Sequence, residues 1–269
     1  MALLRVGAAQ VMARFNDFTG NLALIREFAE KAATAGVDVL LFAEDVLHGS
    51  TIAAAAVEQA LPADAAEIRT IGDMARSSGV TLLVGFLERD GANRYNSHLI
   101  AHADGTLQVQ RKLALNGREL ASGLIPGAAE RIPFTIKGKL CNIAICADWN
   151  NRAIEAEHDR HGCEVVFLPT AGSSTMAQTM RAAELESVEG ITRYIEKMHT
   201  VGFPFAVVEY CLRKRRAVVA CNSLGDNGYD LCQWGHCTIT APTGEVLGMI
   251  PGAPVVEHQR SQMVYADLP

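Results

Sequence analysis

Residues 140–150, LCNIAICADWN, carry a short apolar run into a cysteine, a carboxylate and two polar residues. A run of this length bounded by polar residues suits a strand covered on both faces of its sheet. Cys146 closes the run, where a strand end can present a thiol to a cleft. Cys141 lies inside it, and its odd offset from Cys146 predicts that the pleat turns the two thiols to opposite faces. Taken alone, Cys146 is either a packing thiol or a nucleophile, and a free cysteine is more often the former.

Outward from this strand, similar apolar runs alternate with helical periodicity. LLRVGAAQ (3–10) reads as a buried strand. Leu22, Leu24, Ile25, Phe28, Ala29, Ala32 and Ala33 then recur at helical spacing up to Gly36, a residue suited to a left-handed cap. DVLLFAE (38–44) is a strand again. The pattern continues with a helix over 65–77 and strands at VTLLVGFLE (80–88), NSHLIAHADG (96–105) and TLQVQRKLAL (106–115), the last two joined by a turn at Asp104-Gly105. The second half repeats the theme through IPFTI (132–136), KLCNIAIC (139–146), a helix over 153–160, EVVFLP (164–169), RRAVVACNS (215–223), HCTITA (236–241) and EVLGMI (245–250). In the segment 175–200, Val188, Ile191, Ile195 and Met198 share a helical face. It reads as one or two surface helices, with a lid or an oligomer contact as the functional alternative. No linker interrupts residues 1–269, which predicts one layered α/β domain.

Composition excludes several function classes. The chain of 269 residues has a formal net charge of −6, which argues against binding driven by phosphate neutralisation. Its one basic run, Arg213-Lys214-Arg215-Arg216, is short and reads as a helix terminus. No run approaches a membrane span and the N-terminus lacks signal-peptide order, which points to a cytoplasmic protein with neither nucleic-acid nor membrane partners. The seven cysteines are an odd number, mostly set in apolar runs, so a disulfide framework is not expected. No Cys-x-x-Cys pair or His-Glu-x-x-His helix is present, and no metal or cofactor is expected.

Two further residues bear on the chemistry. Glu44 ends a buried apolar strand, where it is either a solvated strand end or a desolvated general base. Lys112 faces opposite to Arg111 and Leu113, either on an edge-strand surface or pointing inward as a cation that stabilises a thiolate or oxyanion. In their order along the chain, RVGAAQ, LLFAED with Glu44, QRKLAL with Lys112 and IAICAD with Cys146 resemble the motifs of the nitrilase superfamily, the carbon-nitrogen hydrolases. LPTAG, VVACNSLG and GHCTITAPTGEVLG are similar to the segments that follow in that family. The resemblance implies a four-layer αββα sandwich that pairs as a homodimer or higher homo-oligomer. It implies Cys146 as nucleophile, Glu44 as general base, Lys112 as oxyanion stabiliser and Glu119, ahead of Pro126-Gly127, as the second glutamate, acting on a small-molecule amide without a cofactor.

The chain departs from the family after the cysteine. CADWNNRAIEAE replaces the common aromatic-Pro-Glu sequence, and the Cys-x-Asp form is more similar to amidase-type branches than to nitrilases proper. Only Arg152 is available where N-carbamoyl amidohydrolases place arginines to hold a carboxylate. Ala147, Trp149, Asn150, Thr170 and Met176 are candidates for the substrate pocket. Two other readings stand beside the amidase: a Cys-His hydrolase using His48, His98 or His236, and a non-catalytic scaffold that keeps the fold.

Overall fold

The structure, a computed structural model, describes residues 3–174, 179–200 and 204–269. The apolar runs of the first half form β1 (Leu4–Gln10), β2 (Val39–Phe42), β3 (Thr81–Asp90), β4 (Asn93–Ala101) and β5 (Leu107–Arg111). Those of the second half form β6 (Phe134–Ile136), β7 (Lys139–Ile143), β8 (Val165–Thr170), β9 (Ser173–Ser174), β10 (Ala217–Asn222), β11 (Leu224–Asp226), β12 (Cys232–Trp234), β13 (Cys237–Thr240), β14 (Val246–Ile250) and β15 (Gln262–Leu268). One sheet has the order β15-β1-β2-β3-β4-β5 and the other β14-β13-β10-β8-β7-β6, with β11, β12 and β9 in a small third sheet. Parallel pairing is confined to β1-β2-β3 and β7-β8-β10, the strands buried on both faces.

The two large sheets stack face to face. Val6, Ala8, Val39, Leu41 and Leu83 from one meet Ile143, Phe167, Val219 and Ile239 from the other in a single apolar layer. On the outer face of the first sheet, α1 (Phe18–Thr34) and α3 (Ala66–Ser78), with the short α2 (Ala54–Val57) between them in the chain, bury Ile25, Phe28, Ile68 and Ile71 against Leu40, Phe42 and Leu82. On the other side, α5 (Arg152–His161) and α7 (Pro204–Lys214), with α6 (Val188–Thr200) between them in the chain, place Ile154, Val207 and Cys211 over Val166, Leu168 and Val218. This is the αββα order. The predicted cap at Gly36 is left-handed, with φ of 68°.

Three features differ from the sequence reading. The strand carrying Cys141 ends at Ile143, and Cys146 adopts a left-handed φ of 47° in a short 3-10 turn. Pleat counting therefore fails at Cys146, which packs against the same inter-sheet layer as Cys141 rather than on the opposite face. β15, not anticipated, pairs antiparallel with β1 and closes the edge of its sheet. Residues 188–200 form a helix, but Val188, Ile191 and Ile195 are 82%, 46% and 51% exposed, so their apolar face is turned outward. The side chain of Met198 and the whole of Met176 lie outside the described residues.

His48 is a buried group with a defined tautomer. Its Nδ1 accepts from the Leu87 N–H at 3.2 Å, which leaves Nε2 to donate to the Gln59 carbonyl at 3.3 Å. Burial lowers its pKa from 6.5 to about 4. The unfolded chain therefore binds more protons than the native one between those values. The contribution of His48 to stability is complete above about pH 6.5 and is lost as pH falls toward 4, on the order of 3 kcal/mol in full. His48→Gln keeps a donor and an acceptor but cannot ionise, so its melting temperature is expected to fall less than that of wild type between pH 7 and 4.5.

Candidate active site

Glu44, Lys112 and Cys146 each follow the C-terminal end of a strand, β2, β5 and β7 respectively. α4 (Gly117–Ala121) brings Glu119 in beside them. The loop after β2 can fold close over β3 because residue 85 is glycine; a Cβ there would lie 2.3 Å from the Asp45 nitrogen and 2.6 Å from the Ala43 carbonyl oxygen. The short α4 is held by a reciprocal cap in which Asn116 Oδ1 accepts from the Arg118 and Glu119 N–H groups, and Glu119 Oε2 accepts from the Asn116 N–H. That bond leaves Glu119 Oε1 free to turn inward.

Lys112 Nζ lies 2.6 Å from Glu44 Oε1 and 2.7 Å from Glu119 Oε1. All three side chains are at least nine-tenths buried. Asn96 Nδ2 donates to both carboxylates, at 2.7 Å to Glu44 and 3.1 Å to Glu119, and approaches Asp45 Oδ2 at 3.3 Å. Burial acts to lower the pKa of Lys112, but the charges of Glu44 and Glu119 prevail and hold it above its ordinary value. Lys112 therefore remains an ammonium and cannot serve as a proton acceptor.

The Cys146 thiol shares its cavity with the Glu44 carboxylate and with Ala171. Burial raises its pKa, and the Glu44 charge adds to this, while Lys112 and the Ala171 N–H oppose it. The resting form is the thiol, so attack by sulfur requires a base, and Glu44 is the group placed to take the proton. Asp45 is raised well above the usual carboxylate range, by burial first and then by the Glu44 charge.

Glu44, Asp45, Ser50, Ile52, Lys112, Asn116, Arg118, Glu119, Cys146, Ala171 and Leu231 line a common cavity of about 90 Å³. The four residues expected to carry the chemistry are thus brought together. The expected pocket residues are not, among the described residues. Trp149 packs on Tyr210 with the ring centroids 4.4 Å apart and the planes tilted by 45°, in the apolar layer under α5 and α7. Thr170 turns its hydroxyl to Asn222 Oδ1 at 3.0 Å, and Ala147 follows Cys146 in the turn without lining the cavity. The side chain of Asn150 lies outside the described residues. Among the described residues, no histidine lines the cavity. His48 uses both ring nitrogens elsewhere, and His98 is fully buried within the first sheet.

Sequence reading missed Asn96, Asp45, Ala171 and the role of Asp148. Asp148 Oδ1 accepts from the N–H groups of Leu113 and Ala114 at 3.0 and 2.8 Å, and Oδ2 accepts from the Ile145 N–H at 3.3 Å. Arg131 Nη1 reaches Oδ2 at 3.3 Å, with both side chains fully buried. One carboxylate thus ties the chain after Lys112 to the chain before Cys146. Asp148→Ala would leave Arg131 unpaired and three N–H groups without an acceptor, a loss of about 3 to 5 kcal/mol. Urea unfolding should show that loss, together with slower labelling of Cys146 by iodoacetamide in the folded protein.

A family model described as carbon-nitrogen hydrolase matches residues 5–201, and the chain belongs to that family. A hydrolase of Mycobacterium tuberculosis is 25% identical over 172 residues, which span 61% of this chain and 60% of that protein, less than two thirds of its length. Nitrilase 3 of an unidentified prokaryote is 33% identical over 97 residues, 35% of this chain and 29% of that one. Among solved structures, an amidase variant of the nitrilase superfamily from Nesterenkonia AN1 superimposes with a TM-score of 0.72 at 19% identity, over 99% of this chain and 92% of that one. A carbon-nitrogen hydrolase superfamily protein from Xanthomonas campestris, with an arsenic adduct in its active site, gives 0.77 at 19% identity over 100% and 91%. These likenesses establish the shared fold.

Proposed function

We propose that the protein is an amidase, hydrolysing a small primary amide through a thioester on Cys146. The observation that carries this reading is the buried Glu44–Lys112–Glu119 chain in the same small cavity as a protonated thiol. Glu44 takes the thiol proton as sulfur attacks the amide carbonyl carbon. The developing oxyanion is held by the Lys112 ammonium and a main-chain N–H of the turn at residue 147. Collapse breaks the C–N bond, and the nitrogen leaves as ammonia with the proton returned by Glu44. Glu44 then deprotonates a water that attacks the thioester, releasing the carboxylic acid and restoring the thiol.

Glu119 has a different task in this scheme. Its Oε1 faces Lys112 rather than the thiol, so it positions the ammonium and balances its charge. The Nesterenkonia amidase lends support. One of its variants carries the acetamide moiety of fluoroacetamide covalently on the active-site cysteine, and another is in complex with butyramide. N-carbamoyl and nitrile substrates are the nearest alternatives on the same machinery. The cavity size favours a short acyl group in every case, since 90 Å³ is about the liquid share of three waters.

Ammonia release from short primary amides, N-carbamoyl compounds and nitriles distinguishes these. Amides are expected to be turned over, with kcat/KM lowered by about a thousandfold or more in Cys146→Ala and in Glu44→Gln. Hydroxylamine added to wild type should divert the acyl group to a hydroxamate. Ammonia release that persists in Cys146→Ala would refute the mechanism.

A further inference from the structure

We propose that Arg118 selects substrates bearing an anionic group a short distance from the scissile amide, such as the monoamide of a short dicarboxylic acid. This rests on the amidase reading of the same cavity. Arg118 lines the cavity with Cys146, yet it is exposed, and no acidic side chain of the described residues pairs with its guanidinium. It sits one residue before Glu119 on the short α4, so the same turn that buries the glutamate beside Lys112 leaves the arginine toward solvent. The other cation lining the cavity, Lys112, is already engaged by two carboxylates. Arg118 is therefore the cation of the lining with charge to offer.

The distribution of charge gives that position a consequence. Glu44, Glu119 and Asp45 all lie on the buried side, against the single Lys112. Glu44 and Glu119 by themselves outweigh its single charge. A cavity with such a floor attracts cations and repels anions. Arg118 at the exposed side reverses the preference there, opposing a cationic group and pairing with a carboxylate. The remaining lining beside Cys146, namely Ser50, Ile52, Asn116, Ala171 and Leu231, is uncharged. In a cavity of about 90 Å³ the amide and about two or three further atoms fill the interior, which brings the next group of the substrate to Arg118.

The test compares succinamate with 4-oxopentanamide, in which a methyl ketone replaces the carboxylate at nearly the same shape. Wild type is expected to favour succinamate by about tenfold or more in kcat/KM, mainly through KM, the size of effect of a charge-assisted hydrogen bond. Arg118→Gln should bring the ratio of the two substrates near one, and Arg118→Lys should retain part of it. Equal preference in wild type, or an equal loss on both amides in Arg118→Gln, overturns the proposal. Calorimetry on Cys146→Ala separates the two levels. Tighter binding of succinamate that disappears in the Cys146→Ala, Arg118→Gln double variant, without ammonia release by wild type, would keep the charge selection and reject the amidase. Equal or undetectable binding of the two compounds rejects the charge selection whatever the turnover.

Discussion

A lysine ammonium in a site with almost no access to water is the constraint around which this molecule is organised. Lys112 has its charge balanced by Glu44 and Glu119 at 2.6 and 2.7 Å, and neither carboxylate has a second full positive charge to meet. Such a cluster is stable only if its remaining polar atoms are satisfied and its geometry is fixed, because removing water costs each charge several kcal/mol. Asn96 supplies the extra donor, Asn116 ties down the far oxygen of Glu119, and Gly85 gives the Glu44 loop room to approach. The two layers of helices outside the sheets keep the surroundings dry.

The same arrangement divides the labour of acid and base. Two groups beside the thiol could in principle exchange a proton with it. The pair of carboxylates holds Lys112 charged, while burial holds Cys146 protonated, which is why the proposed mechanism gives the proton to Glu44. Asp45 shows the limit of negative charge that the site accepts. Burial and the neighbouring Glu44 charge disfavour a third ionised carboxylate there and push the Asp45 carboxyl well above its ordinary range.

Much of this was legible in the sequence, for identifiable reasons. The apolar runs marked most strands of both sheets, and Glu44, Lys112, Cys146 and Glu119 were found through ordered motifs. Trp149 was misplaced because nearness in sequence to Cys146 was taken for nearness to the cavity, whereas the 3-10 turn carries the ring to the opposite side, onto Tyr210. Cys146 itself escaped the pleat rule because the strand stops at Ile143. Asn96 left a usable signal, a carboxamide inside an otherwise buried strand, which must find polar partners. Asp148 left a weaker one. Two of its partners are backbone N–H groups more than thirty residues away, and no side-chain pattern encodes them. β15 was missed because its residues alternate between half-buried and exposed positions rather than forming an apolar run.

Cys146 follows a strand of one sheet, while Glu44 and Lys112 follow strands of the other, with Asp148 bonding to the backbone of both loops. Neither sheet alone contains a site. A folding intermediate with either one formed would hold a thiol without its carboxylate, or a carboxylate without its thiol. The meeting of Cys146 with Glu44 is thus a consequence of sheet docking, and during synthesis it is complete only after the second sheet has closed on the first.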